Sequence, residues 1–305
     1  MPSLLRYARA LCVLVFLAPG ARAAAQQPET PSATPPPANR PVKSPGNAEW
    51  AANADLARQK AAAKHELVYY EFATAKCDDC RRMQALLYPA FDFEALLIGM
   101  VPVRVALDSE EGKRLAARYA IEEAPSVLIT TPEGRLVFLM RGFKDATDFY
   151  QHVHSDMRAY REFAKRIAAQ DVATLPAEEA YSTGRMLFGR YDYAEARPRL
   201  KRASVAPDAK PAIREAALEG LAAAEMELQN PAQARKTIDQ LIGATKNAET
   251  KERAELFRAQ IPLSENKPAE ALALYKKFEK DHPNSKYLDK VRVFIARLQP
   301  VETPK

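Results

Sequence analysis

Between residues 48 and 168 the spacing of apolar positions changes period several times, and each change marks an element. Residues 48–64 are alanine-rich, with Trp50, Ala54, Leu56 and Ala57 at helical spacing. Leu67 to Phe72 is a short apolar run that predicts a strand, and a helix follows from Cys77 to Tyr88, where Pro89 ends it. Phe91 to Ile98 is apolar with irregular spacing and predicts a second helical piece. Val101 to Asp108 alternates, is rich in β-branched residues and carries Pro102 near its start, so it predicts a strand. Ser109 opens a helix to Tyr119 with Leu115, Ala116 and Tyr119 on one face. Ser126–Thr130 and Arg135–Arg141, joined through Thr131-Pro132-Glu133-Gly134, have the spacing of a β-hairpin. Gly142 closes it, and Asp145 to about Ala169 forms a long helix with Phe149, Val153 and Phe163 among its apolar positions. The order helix, β, α, β, α, β, β, α predicts one sheet with helices on both faces.

Beyond Leu175 the period is helical throughout. Phe188-Gly-Arg-Tyr-Asp-Tyr-Ala-Glu-Ala196 recurs loosely as Leu228-Gln-Asn-Pro-Ala-Gln-Ala234 and Glu265-Asn-Lys-Pro-Ala-Glu-Ala271, and the closing alanines are 38 and 37 residues apart. A turn followed by a small residue at a fixed helical position predicts stacked helical hairpins, because the small side chain lets the helices approach. Gly184, Tyr193, Ala196 and Ala203 in the first unit, Ala222, Ala234 and Ile238 in the second, and Ala271, Tyr275 and Pro283 in the third resemble tetratricopeptide repeats. Three repeats and a closing helix from Lys286 to Leu298 are expected, with a generic helical bundle as the alternative. Phe278-x-x-x-His282-Pro283-Asn-Ser285-x-Tyr287 resembles the repeats common in bacterial envelope proteins. Pro262 falls inside the first helix of the third repeat and predicts a kink there.

The amino-terminal stretch differs from both regions. Residues 1–25 have a basic start (Arg6, Arg9), an apolar run from Ala10 to Ala18, a Pro19-Gly20 break and small residues at Ala23-Ala24-Ala25, the pattern of a secretory signal. The apolar run is about half the length a membrane span requires. Residues 26–47 contain seven prolines and almost no large apolar side chain, so they are read as a disordered, polyproline-like linker. The domain limits are therefore 1–25 signal, 26–47 linker, 48–168 α/β domain and 172–300 helical repeats. A chain of 305 residues with 47% hydrophobic content suffices for two such domains. The formal charge of +6 falls by the three arginines of the signal, leaving too little positive charge to argue for nucleic acid as a partner. Export points to the periplasm first and to the extracellular space second, with no transmembrane segment in the mature chain.

Of the three cysteines, Cys12 lies inside the signal, which leaves Cys77 and Cys80. A disulfide between residues three apart closes too small a loop to constrain the unfolded chain, so the pair makes a poor staple. A strand that feeds a Cys-x-x-Cys at the start of a helix suits redox chemistry, because the helix amino terminus stabilises a thiolate. Half a zinc site is the rival chemistry, with His152 and His154 as the other half. Their side chains leave a helix about 200° apart, which hinders shared ligation.

The order of elements, the dithiol after Phe72, the segment Tyr119-x-Ile121-x-x-x-Pro125-Ser126 before a hairpin, and Gly134 and Gly142 together resemble the thioredoxin fold over roughly residues 50–165. The expected fold class is thus an α/β thioredoxin-like domain, a central mixed sheet with helices on both faces, followed by an all-α helical-repeat domain. The resemblance implies that Cys77 attacks as the nucleophile and Cys80 resolves the mixed disulfide. It implies that Glu71 is a buried carboxylate relaying protons for the inner cysteine. It also implies that Pro125 follows a cis peptide bond and, with Ala124, docks the substrate backbone. No bound cofactor and no metal are required, and the partner is a cysteine-containing protein. Two departures stand at the dithiol: Lys76 replaces the family's usual tryptophan, and Asp78-Asp79 replaces its common Gly-Pro. The aspartates disfavour a thiolate at Cys77 and Lys76, Arg81 and Arg82 favour it, so these residues tune the couple. If the aspartates prevail, the pair is more reducing than one with a neutral dipeptide. Two functions fit: an exported thiol–disulfide oxidoreductase with a repeat domain for docking a protein or peptide ligand, or an interaction protein whose repeats bind a partner while the α/β domain is structural or redox-sensing.

Overall fold

The computed structural model describes residues 49–89 and 91–299. The segments read as signal (1–25) and linker (26–47), and Cys12 with them, lie outside the described residues. Those described divide into two compact units that meet at Ala169 and Gln170 in the sequence.

The first unit contains α1 (Ala54–Lys64), β1 (Leu67–Ala73), α2 (Asp78–Leu87), α3 (Phe91–Leu97), β2 (Met100–Ala106), α4 (Glu110–Tyr119), β3 (Ser126–Thr130), β4 (Leu136–Arg141) and α5 (Ala146–Ala168). The strands form one mixed sheet in the order β2-β1-β3-β4. β1 runs parallel to β2 and antiparallel to β3, and β3 is antiparallel to β4. β1 is therefore central, flanked on both sides, and its inner positions Val68 to Phe72 are all buried. On one face Tyr69, Val127, Ile129 and Phe138 pack with Met83 and Leu87 of α2, Phe93 of α3 and Phe149 and Val153 of α5. α1 packs against β1 and β2, and α4 against β2. This is the thioredoxin-like α/β arrangement expected from the sequence.

The boundary furthest from the sequence expectation is the start of the first helix; β2 ends at Ala106 and not Asp108, and the closing helix begins at Leu288 and not Lys286. Helix α1 begins at Ala54, not near Ala48, and Trp50 lies ahead of it. The Ala51 N–H donates to the Pro102 carbonyl at 2.8 Å, and Ala51 forms an isolated parallel bridge with Val103 beside the edge strand β2, which holds this residue out of the helix. Asn53 then caps the helix, its side chain accepting from the Leu56 N–H. Ser109 and Asp145 cap α4 and α5 in the same way. Gly134, at φ +90°, supplies the left-handed residue of the hairpin, and Tyr119 OH donates to its carbonyl at 2.8 Å.

The second unit is all helical among the described residues. It comprises α6 (Ala177–Gly189), α7 (Tyr193–Val205), α8 (Pro211–Glu227), α9 (Pro231–Ala244), α10 (Ala248–Ser264), α11 (Pro268–Asp281) and α12 (Leu288–Leu298). Each helix packs on the next, as successive hairpins require. Ala196, Ala234 and Ala271 are fully buried, and a side chain at Gly184 would press on Leu200 of α7. Arg253 of α10 reaches back to Glu219 of α8 at 3.0 and 3.2 Å, and Arg235 of α9 reaches Glu265 and Glu270 at 2.7 and 2.9 Å, so polar pairs tie one hairpin to the next. Pro262 lies within α10 two residues before its end, and its carbonyl accepts from Glu265 and Lys267 in the terminating turn. No helix among the described residues is long and apolar enough to cross a membrane.

Candidate functional site

The chain leaves β1 at Ala73, crosses three exposed residues ending in Lys76, and enters α2 through Cys77. Cys77 is the N-cap, in extended backbone, and its Sγ accepts from the Cys80 N–H at 3.0 Å. An amide at the amino end of a helix is thus aimed at the first sulfur, the arrangement that stabilises negative charge there. Cys77 and Cys80 form a disulfide with an S–S distance of 1.98 Å and a Cα–Cα distance of 5.1 Å. Cys77 is 9% exposed and Cys80 3%, so the first sulfur is the more accessible.

The peptide bond between Ala124 and Pro125 is cis. Ser126 pairs with Phe72 across β1 and β3, which places Pro125 at the end of the sheet from which β1 leads to the cysteines. Ala124 is half-buried and Pro125 buried, and Ser126 Oγ donates to the Glu123 carbonyl at 2.8 Å.

The flanking charges form pairs. Asp78 pairs with Arg81, and Asp79 lies 3.2 Å from Arg82, each one helical turn on. The Arg82 guanidinium also lies 4.6 Å from the Phe143 ring, in the loop after β4. The pull of the aspartates on Cys77 is therefore offset by partners on the same helix, while Lys76 remains exposed at the entrance.

Glu71 is 1% exposed and points from β1 toward α2. Gln84 Nε2 of α2 donates to one carboxylate oxygen, the OH of Tyr88, the C-cap of α2, donates to the other, and Arg104 Nη2 of β2 lies 3.4 Å from the second. Burial pushes the Glu71 carboxyl above the ordinary carboxylate range, with the Arg104 charge and the hydrogen bonds from Gln84 and Arg104 pulling the other way. The sequence did not single out Gln84, Tyr88 or Arg104. Arg104 left one cue, a lone charge in the otherwise apolar Val101-Pro-Val-Arg-Val run, but its partner follows from the β1–β2 register.

His152 and His154 are not brought to the cysteines by any contact. The His152 ring bonds the Asp148 carbonyl at 2.6 Å, and the His154 ring stacks 6.3 Å from Tyr150. Among the described residues no group of three or more His, Cys, Asp or Glu side chains is placed to hold a metal ion.

No family model matches the chain, and no curated protein does. Solved structures do. A thioredoxin from Thermus thermophilus, determined in solution, is 23% identical and the match covers 32% of this chain and 79% of that one, with a TM-score of 0.30. A DsbH oxidoreductase is 18% identical over 42% of this chain and 95% of its own, with a TM-score of 0.32.

Proposed function

We propose that the chain is an exported thiol–disulfide oxidoreductase that exchanges the Cys77–Cys80 couple with cysteine-containing proteins. The observation that carries this reading is the disulfide itself, seated at the N-cap of α2 with the Cys80 amide on the Cys77 sulfur. In the reduced protein the Cys77 thiolate attacks a partner disulfide, forming a mixed disulfide and releasing one partner thiolate. Cys80 then loses its proton and attacks Cys77 Sγ; the Cys77–Cys80 bond forms, the mixed disulfide breaks, and the second partner sulfur leaves as thiolate. Two electrons pass to the partner, and the protons of the dithiol end on its thiols. The exchange is reversible and needs no bound cofactor. The greater exposure of Cys77 supports its role as nucleophile and Cys80 as the resolving thiol.

Glu71, buried on the α2 face, is the carboxylate assigned to the proton of Cys80, and the backbone at Ala124 and Pro125 is the docking surface for the partner's chain. Lys76, exposed beside Cys77, tunes the couple, and Asp78 and Asp79 do so only as far as their pairing with Arg81 and Arg82 leaves their charge uncompensated. The helical unit is read as three tetratricopeptide-like repeats with α12 as a cap, binding a protein or peptide ligand. The stacking of successive hairpins on buried small residues supports that type. The organisation proposed is signal 1–25, linker 26–47, thioredoxin-like domain 48–168 and repeats 172–300, with the periplasm as the compartment.

Cys80→Ser in the native compartment tests the reading, because it removes the resolving thiol. Mixed disulfides through Cys77 are expected to accumulate and to vanish in the Cys77→Ser/Cys80→Ser protein. Their absence, with partners still captured non-covalently, would establish the interaction-protein function instead.

A further inference from the structure

The Glu71 carboxylate is approached from several elements. α2 supplies Gln84 on one oxygen and Tyr88 on the other, and β2 supplies Arg104. Arg104 Nη2 also donates to Tyr88 OH at 2.8 Å, so the tyrosine hydroxyl accepts from Arg104 while it donates to Glu71. On the same face of β1, Tyr69 is wholly buried and its hydroxyl has no hydrogen-bond partner among the described residues. Tyr150 of α5 acts on Tyr69 at longer range, and Asp92 of α3 acts on Tyr150. β3 places Val127, an apolar residue, opposite Glu71. The Arg104 guanidinium lies 4.9 Å from the Trp50 ring and 5.9 Å from the Tyr88 ring, and those two rings are 6.0 Å apart. The Arg104 side chain is 50% exposed, so the network meets water at that edge of the sheet.

We propose that Tyr88 is a positioning residue for the dithiol exchange: by joining Glu71 to Arg104 it places control of the charge on Glu71, and so of the pH response of the Cys77–Cys80 couple, at the Arg104–Trp50 edge. The inference rests on the exchange chemistry proposed above. Its physical basis is the shared helix. α2 is capped by Cys77 at one end and Tyr88 at the other, with Gln84 between, so the two residues that donate to Glu71 lie about 10 and about 16 Å along the axis from Cys77. Two negative charges across a protein interior raise each other's proton affinity, and the coupling is reciprocal. Reduction of the disulfide by a dithiol moves two electrons onto Cys77 and Cys80 and joins the donor's sulfurs. Where Cys77 is left as thiolate, Glu71 gains part of the proton released. Each hydrogen bond donated to the ionised carboxylate opposes that uptake, and Tyr88 supplies one directly and seats the Arg104 that supplies the next.

Equilibration of the full protein with reduced and oxidised dithiothreitol, followed from pH about 5 to about 9, reads this coupling. The wild-type equilibrium constant is expected to show an inflection beyond those of the thiols, which Glu71→Gln abolishes. Tyr88→Phe and Arg104→Met should move it to higher pH by about one unit, the worth of one charge-assisted hydrogen bond. If Glu71→Gln removes the inflection but both other variants overlay the wild type, the role of Tyr88 is wrong and the exchange chemistry stands. If the wild-type protein does not exchange with dithiothreitol at all, the oxidoreductase reading itself fails. Carbon-13 NMR titration of the Glu71 carboxyl in oxidised wild type and Tyr88→Phe needs neither exchange nor a partner. A coincident titration of the two overturns the proposal.

Discussion

Glu71 and Arg104 face each other in register across the β1–β2 pair, with Arg104 Nη2 3.4 Å from the Glu71 carboxylate. The acid is buried and the base half exposed, so the pair does not behave as a surface ion pair: desolvation of the carboxylate outweighs its partners, and Glu71 holds its proton above the ordinary range. A carboxyl whose proton affinity is raised by folding contributes stability that is fully present below its unfolded pKa and is lost as pH rises through the folded one. Glu71→Gln removes this dependence. Urea unfolding followed by the fluorescence of Trp50, the single tryptophan, is therefore expected to favour the variant more at pH about 8 than at pH about 4. An equal difference at both values contradicts the assignment.

The paired charges on α2 make a second prediction. Because Asp78 answers Arg81 and Asp79 answers Arg82, the four side chains together add little field at Cys77. Asp78→Asn/Asp79→Asn leaves two unopposed arginines in the first turns and should lower the Cys77 thiol pKa by about half a unit. Arg81→Gln/Arg82→Gln should raise it by a similar amount, and the fourfold variant should return near the wild type. Thiolate absorbance against pH measures all three. A fourfold variant as far displaced as either double would show that the pairs do not cancel.

How far the sequence carried this picture depended on the range of the interactions. The elements of the first unit follow from periodicity and capping residues: Ser109 and Asp145 sit at the N-caps of α4 and α5, and Pro89 stands beyond α2. Signals of this kind are local. Helix α1 starts later than the spacing predicts because a backbone bond from Ala51 to Pro102, half a domain away in sequence, holds Ala51 against β2. The same limit governed the site. Cys77, Cys80 and Pro125 lie in short motifs, whereas the partners of Glu71 come from α2 and β2 and are fixed by strand register, which no local pattern encodes. The opposed charges around the cysteines were legible as types, but their cancellation required knowing that each aspartate meets an arginine one turn on.

Gly112, near the start of α4, shows how closely that helix approaches β2. A Cβ there would stand 2.0 Å from the Ala106 carbonyl oxygen and 2.9 Å from the Leu107 Cα, both backbone atoms that cannot swing aside. Gly112→Ala should therefore cost about 3 kcal/mol, at the upper end of overpacking effects. Denaturant unfolding monitored at Trp50 gives the number. A loss below about 0.5 kcal/mol, the range of an ordinary surface substitution, would show that α4 moves away freely.

The alanines that recur in the helical region supply the last prediction. Ala234 is fully buried in α9, in a cluster with Leu218 and Ala222 of α8 and Phe257 and Ile261 of α10. It sits where three helices converge, and a larger side chain there must push at least one of them outward. Ala232, two residues earlier in the same first turn, is exposed. Both substitutions exchange the same residue types within the first turn of the same helix, so the chief difference between them is packing. Ala234→Leu should destabilise the helical unit by about 1–3 kcal/mol, and Ala232→Leu should fall within about 0.5 kcal/mol of the wild type, read as the shift in urea midpoint by far-ultraviolet circular dichroism. The same contrast is expected for Ala271, fully buried against Leu256 and Tyr275, and its exposed neighbour Ala269. Equal costs within either pair would mean that the recurrence of alanine reflects helix-forming preference and not the close approach of stacked hairpins.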